Sequence, residues 1–418
     1  MNFDWKKIFL LIGFILIIII AGYLIYTTFF APAPAPIVVT EKPPAVTPGL
    51  PLVGEKIPVG VIVEPEIVTP PTQPSPTAVP EILPTGVSKT AKGGLTQVVT
   101  LISTPANGIT LDSDGNNLLY YNNNDGKFYR ITPDGESTTL TDKTFYNVSN
   151  IAWSPVKDKT VLEYPDGSNI VYNFKTNKQV TLPKHWTDFN FSPTGDQIAA
   201  KSIGDDINNR WLIITNEDGS EAKAIQELGN EADKVIVDWS PNRQMVGMYA
   251  NEAGLDRQKL YFIGPNQENY KLLVLPGYGF VENWAPSGEQ LLFSVYNNAS
   301  DLKPELWISN IGGEATGSNR KSLNIYTWAD KCTFTDENTV YCAIPKSLQR
   351  GAALVAEFKE QTEDIIYKIN TVTGIKTLIA DPYGESYSIK DIMISDDQQY
   401  LFFTDYATNN LHKIQLSE

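Results

Sequence analysis

The 418-residue sequence predicts an all-β fold, a seven-bladed β-propeller, preceded by one N-terminal transmembrane helix and a disordered Pro-rich linker. Three observations carry the propeller. A motif recurs seven times, as LDSDGNNLLYY, AWSPVKDKTVLEY, NFSPTGDQIAAK, DWSPNRQMVGMY, NWAPSGEQLLFSVY, TFTDENTVYCAI and MISDDQQYLFFT. Its Pro or Asp falls at Asp114, Pro155, Pro193, Pro241, Pro286, Asp336 and Asp396. Self-similarity at a period of roughly 40 residues or somewhat more marks a repeat architecture, and four-stranded blades have about this length. Each copy also continues into further strands of alternating apolar and polar residues. Finally, the last copy lacks a fourth strand, while an orphan strand, residues 95–102, precedes the first.

The chain begins with a charged stub, 1–7. Ile8 to Phe30 then carries no charge and is dominated by Ile, Leu and Phe, long enough to cross a hydrocarbon core of about 30 Å. Lys6 and Lys7 precede it and no basic residue follows before Lys42, which places the N-terminus inside and the remainder outside. A cleaved signal peptide is the competing reading. Its only small-residue candidates lie in Ala31-Pro32-Ala33-Pro34-Ala35-Pro36, where each Ala is followed by Pro, so an uncleaved signal anchor is expected. Residues 31–93 are rich in Pro, Val, Thr and Ala. Such a segment buries too little to offset its ordering entropy and reads as an extended spacer. Residues 94–418 form the array.

Within each repeat, strand A carries the motif and strand B is an apolar run such as Gln290 to Tyr296. Strand C alternates, as in Lys127-Phe128-Tyr129-Arg130-Ile131. Turns such as Pro133-Asp134-Gly135 and Glu217-Asp218-Gly219 supply the Gly that positive-φ positions need before a short strand D. The orphan strand is expected to close the ring as strand D of the last blade, beside residues 411–414.

The pattern W/F-S-P-x-G followed by an apolar strand, an apolar strand C and a D-G turn resembles the TolB-type and WD40-like propeller repeats of bacterial envelope proteins. Pro193-Thr194-Gly195-Asp196-Gln197 and Gln290-Leu291-Leu292-Phe293-Ser294 match it well. Copies one, six and seven have Asp in place of Pro, and copies two and four lack the Gly. The resemblance covers roughly residues 94–418. It implies a binding or assembly platform outside the cytoplasmic membrane and brings no catalytic residues. No N-terminal α/β domain of the TolB kind is present.

Composition narrows the chemistry. The net charge is −15, nearly all of it in the array, which argues against a nucleic-acid partner. There is no G-x-S-x-G elbow, and the two histidines, His185 and His412, leave little for nucleophilic catalysis or a metal site. Asp112-Ser113-Asp114-Gly115-Asn116 looks like a calcium-loop fragment but lacks the bidentate Glu, so turn chemistry is the simpler reading. No catalytic residue, metal or cofactor is expected. Cys332 and Cys342 flank the turn at Asp336-Glu337-Asn338 symmetrically and would face each other across a hairpin. An exported compartment permits a disulfide, two free buried thiols being the alternative.

A propeller gathers its D–A and B–C loops on one face. The D–A loops hold Phe145 and Tyr146, His185 and Trp186, Tyr278 and Phe280, Tyr326 and Trp328, and Tyr383 and Tyr387. Amphipathic rings so placed suit a glycan or protein partner, unless they pack between blades. The segment KSLQRGAALVAEFKEQTED, residues 346–364, is an insertion on the same face. Its Ala352, Leu354, Val355 and Phe358 predict a short amphipathic helix over the rim. The expected function is a non-enzymatic, membrane-anchored binding platform. The alternative is a propeller hydrolase or lyase with a carboxylate or metal site at the channel mouth, which convergent carboxylates with perturbed pKa values would favour.

Overall fold

The computed structural model describes residues 83–417. The expected stub, membrane helix and most of the linker lie outside the described residues. Among the described residues no helix is long and apolar enough to cross a membrane.

The recurring motif is a hairpin-turn device. In blades one to five and seven, the residue before the turn (Asp112, Ser154, Ser192, Ser240, Ala285, Ser395) donates its N–H to the carbonyl of the residue five positions on. Where that residue is Ser, its hydroxyl also accepts from the same later residue's N–H, as in Ser240 Oγ from Met245 N at 2.9 Å and Ser395 Oγ from Tyr400 N at 3.0 Å. The third position on has positive φ in all six turns: Gly115, Gly195 and Gly288, but also Lys157, Arg243 and Gln398. The repeat therefore keeps a left-handed turn position, with Gly in only half the copies. In blade six the turn is tighter, Asp336 pairing with Thr339.

These hairpins build seven sheets, antiparallel except for one added strand in blade six, with strand A innermost and strand D outermost. Six contain four strands and blade six contains five. One apolar cluster fills each of the seven seams between blades. Phe128, Tyr121 and Tyr172 pack between blades one and two, and Leu292, Leu306, Val340 and Ile344 between five and six. Burial thus lies between blades rather than within any one of them, which is why a blade has no independent core.

Closure follows the expected register. Val99–Ile102 pairs antiparallel with Leu411–Gln415, Val99 opposite Lys413 and Thr100 opposite His412. The orphan strand is nevertheless two strands. Gly94–Gln97 leaves blade seven and joins blade six as a fifth, parallel strand beside residues 380–383. The end of the expected linker is also bound to the array: Ala91 N donates to Gln415 O at 2.8 Å and Gly93 N to Ile379 O at 3.0 Å, and Thr90 is buried. One N-terminal thread therefore stitches the outer edges of blades six and seven together. A disulfide joins Cys332 and Cys342, which are directly opposite in strands A and B of blade six.

Candidate binding face

The D–A loop aromatics divide into two groups. Phe145, Trp186, Trp328 and Tyr387 are core residues, only 5–7% exposed. Phe145 meets Phe128 and Tyr172 edge to face, at 5.8 and 4.9 Å between ring centres. Trp186 is the first residue of its strand and turns into the seam between blades two and three, among Val161, Phe189 and Phe191. Tyr387 packs on Phe403 and His412, at 5.6 and 5.0 Å. The expectation that Trp186, Trp328 and Tyr387 present a ligand surface is corrected accordingly: Trp186 and Tyr387 turn into seams as their loops enter a sheet, and Trp328 is buried beside Lys331 at the 3-10 turn Ala329–Lys331.

The other group remains accessible. Tyr146 is 66% exposed, Tyr326 41% and Tyr383 40%. His185 is exposed, with its ring edge-on to Trp186. Tyr278 and Phe280 are half-buried, and the Tyr278 hydroxyl donates to Gly254 O at 2.6 Å. His412 is buried in strand C of blade seven, its Nδ1 3.1 Å from the Thr100 hydroxyl, and burial pushes its pKa down. It ties the closing strand to blade seven and lies outside any accessible site.

The insertion is a 3-10 turn, Ala352–Leu354, followed by one five-residue helix, Ala356–Glu360, shorter than expected. Gly351 N donates to Asp301 O at 2.9 Å and Ala353 N to Leu302 O at 3.1 Å, so the insertion leans on the B–C loop of blade five. Ala352 faces inward, but Leu354 and Val355 are exposed. In the loop before it, Lys303 stands 5.7 Å over the Tyr326 ring. On the other side Tyr278 reaches the B–C loop of blade four, whose Leu255 is 93% exposed. Three neighbouring loops and the end of the outer strand of blade five therefore form one crest over blades four, five and six, carrying Leu255, Tyr326, Leu354 and Val355.

A buried polar knot holds the blade-six part of that crest in place. Lys331, wholly buried, donates from Nζ to Asp364 Oδ2 and to Thr362 Oγ1, each at 2.7 Å. Asp364 Oδ2 also accepts from Ile389 N at 2.8 Å. The Ser388 hydroxyl donates to Lys359 O at 3.0 Å, and Lys359 pairs with Asp330. The Lys331, Lys390 and Lys359 ammonium groups stand 5.4, 5.5 and 6.0 Å from the centre of the Tyr406 ring. Burial pulls the Lys331 pKa down against the pull of Asp364, and burial together with surrounding carboxylates pushes Tyr406 up. Lys331 is closed to any substrate, so its role is to fix the C-terminal end of the insertion, at Thr362 and Asp364, to blades six and seven. Sequence reasoning missed this knot, whose members are joined only when the ring is built.

Two carboxyls in adjacent inner strands are also unusual. Asp238 directly follows strand A of blade four, Val235–Val237, and Glu282 lies in strand A of blade five. Burial pushes each up to about 7, and for Glu282 the charge of Asp238 adds to it. Between about pH 4 and 7 the folded chain holds protons that the unfolded chain has released, so stability is highest below that window and falls as pH rises through it. Asp238→Asn is expected to stabilise the fold more at pH 8 than at pH 5, by a difference on the order of 2 kcal/mol, read as a larger rise in melting temperature at pH 8. Equal shifts at both pH values would clear the carboxylate of this role. Among the described residues, no group of three or more His, Cys, Asp or Glu is placed to hold a metal ion.

Solved structures similar to this chain are propellers. An oligogalacturonate lyase in complex with manganese matches with a TM-score of 0.52 at 14% identity, over 77% of this chain and 93% of that one. The oligogalacturonate lyase of Vibrio parahaemolyticus matches at 0.51 and 12%, over 77% and 94%. A β-propeller domain from Myceliophteria thermophila matches at 0.50 and 11%, over 77% and 100%. The chain is a seven-bladed β-propeller. Identities this low speak for the fold alone. No protein-family model matches the chain, and no curated protein sequence matches it.

Proposed function

We propose that this chain is a non-enzymatic binding platform of the TolB-like kind, anchored in the cytoplasmic membrane through residues 8–30, with its propeller outside and a protein partner at the crest over blades four to six. The observation that carries it is the crest itself: Leu255, Tyr326, Leu354 and Val355, exposed by 93, 41, 55 and 41%, on neighbouring segments, with the insertion hydrogen-bonded to the blade-five loop and braced from beneath, and the Leu255 loop held by the Tyr278 hydroxyl. Large apolar side chains held out on a stiff support suit burial in a protein interface. Aliphatic Leu and Val favour a protein over a glycan, which would call for stacking rings. The disulfide accords with an exported propeller.

A photo-crosslinker at Val355 is expected to give one discrete adduct in intact cells. Leu255→Ser with Leu354→Ser should abolish it while changing stability by less than about 0.5 kcal/mol each, as for exposed sites. The same adduct from Ile375, 65% exposed on the opposite face, would overturn the reading.

The Asp238–Glu282 pair favours a second reading, a hydrolase or lyase working in the channel. Turnover of a polysaccharide panel that is lost in Glu282→Gln would support it, and unchanged turnover would remove it.

A further inference from the structure

The outer strand of blade four is too short for its neighbour. Leu273–Leu275 pairs only with Gln258, Lys259 and Leu260. The next stretch of strand C, residues 261–263, has no outer partner among the described residues, and no backbone hydrogen bond joins it to the following loop, 264–272. Tyr270 near the end of that loop is held elsewhere: its hydroxyl donates to Gln244 O at 2.6 Å and its ring packs on the cluster between blades four and five. An open strand edge is a template for another extended chain.

A groove runs beside this edge, between blades three and four. One cavity of about 410 Å³ and an adjoining one of about 290 Å³ share Gln226, Glu227, Phe262 and Ile263, so they are continuous. Leu228 and Val235 form an apolar floor. Tyr249 and Tyr261 stack with ring centres 6.1 Å apart, and Tyr261 is 39% exposed. The charged residues lining both cavities are Glu227, Glu231 and Glu268, with no Lys, Arg or His among them. Glu231 is already paired with Lys234. Glu227 is exposed and makes no ion pair among the described residues.

We infer that this groove is a second docking site, separate from the crest, for an extended basic segment of another polypeptide, which adds as a strand beside residues 261–263. Charge complementarity selects the occupant. Main-chain pairing supplies the register, alternate side chains enter the apolar floor, and the Lys or Arg between them meet Glu227 and Glu268 and the Tyr261 face. An open edge of three residues and a groove of this size seat a segment of roughly four or five residues at about 3.3 Å each.

The test uses the full-length chain in detergent and two fluorescein-labelled dodecapeptides, one alternating Lys and Val, the other Glu and Val. The Lys–Val peptide is expected to bind at least tenfold more tightly. Its addition should slow hydrogen exchange at residues 261–263 and not at the equivalent strand C residues of blade five, 308–310. Glu227→Lys with Glu268→Lys should weaken it tenfold or more with an unchanged melting temperature, while Leu255→Ser with Leu354→Ser should leave it unaltered. Equal binding of both peptides, protection absent at 261–263, or affinity unmoved by the two charge reversals would each overturn the proposal. The last outcome would assign the attraction to the general negative charge of the propeller.

Discussion

A chain lacking residues 83–102 is expected to unfold well below the intact protein, because it loses the strand that closes the ring and the strand that caps blade six. The deletion strips the partner from Leu411–Gln415 and uncovers the seam between blades seven and one, where Ile102 packs with Leu118, Phe402 and Leu411. It also removes Thr90 and Thr96, both buried. Losing several buried side chains and two runs of ladder bonds amounts to on the order of 5 kcal/mol. With an unfolding entropy of about 2.1 cal/mol/K per residue, that lowers the melting temperature of a propeller this long by roughly 7 °C. Deleting only residues 83–97 should cost clearly less, since blade seven keeps its fourth strand. Calorimetry on the three chains settles it. If the shorter deletion costs as much as the longer one, the parallel strand on blade six, and not closure, is what holds the ring.

The second large effect is expected at Lys331. Lys331→Met leaves Asp364 buried with its ammonium partner gone, and Asp364 Oδ1 already has no hydrogen-bond partner. Breaking one side of a buried pair costs about 3–5 kcal/mol, because the remaining charge is stranded. Asp364→Leu should cost a similar amount. The double variant Lys331→Met/Asp364→Leu is expected to recover much of the loss, so chemical denaturation of the four chains should give a coupling energy of about 2 kcal/mol or more. Additive losses would mean that the two residues act through Thr362, Ser388 and the backbone rather than on each other. Because the knot anchors the insertion, the singles should also loosen the Val355 crest, visible as faster hydrogen exchange over residues 351–360.

The blades could be read from the chain because each turn repeats the same local problem. A Ser before the turn and a left-handed position three residues later recur in nearby sequence. The same logic shows why Lys157, Arg243 and Gln398 disguised it: a long side chain can occupy that position at some strain, so the Gly is not obligatory. The closing register was legible because it rests on a count of strands. The fate of single rings was not. Phe145 and Tyr146 are neighbours, yet one is 5% and the other 66% exposed; likewise His185 is exposed while Trp186, at the strand start, is buried. A shift of one position reverses which way a strand residue points, and composition does not fix where a strand begins. The knot was hidden for another reason. Lys331, Asp364 and Ser388 meet only after two D–A loops and the insertion have converged, and in sequence each looks like a surface residue. The short strand D of blade four likewise leaves no mark in the motif.

The closing strand also sets a timetable. Thr100 bonds His412, a partner 312 positions away. On a ribosome the strand appears before any blade exists, and its complement appears last. Six blades can stack in order as they emerge, each on the one before, but the ring stays open until the final strand C is made. Contacts this distant in sequence slow folding, and an apolar seam stays uncovered while the chain waits. Most of the lifetime of the nascent chain is thus spent as an open arc with one sticky end. The Thr, Val and Leu of residues 98–101 are what that end must keep from other partners until the chain is complete.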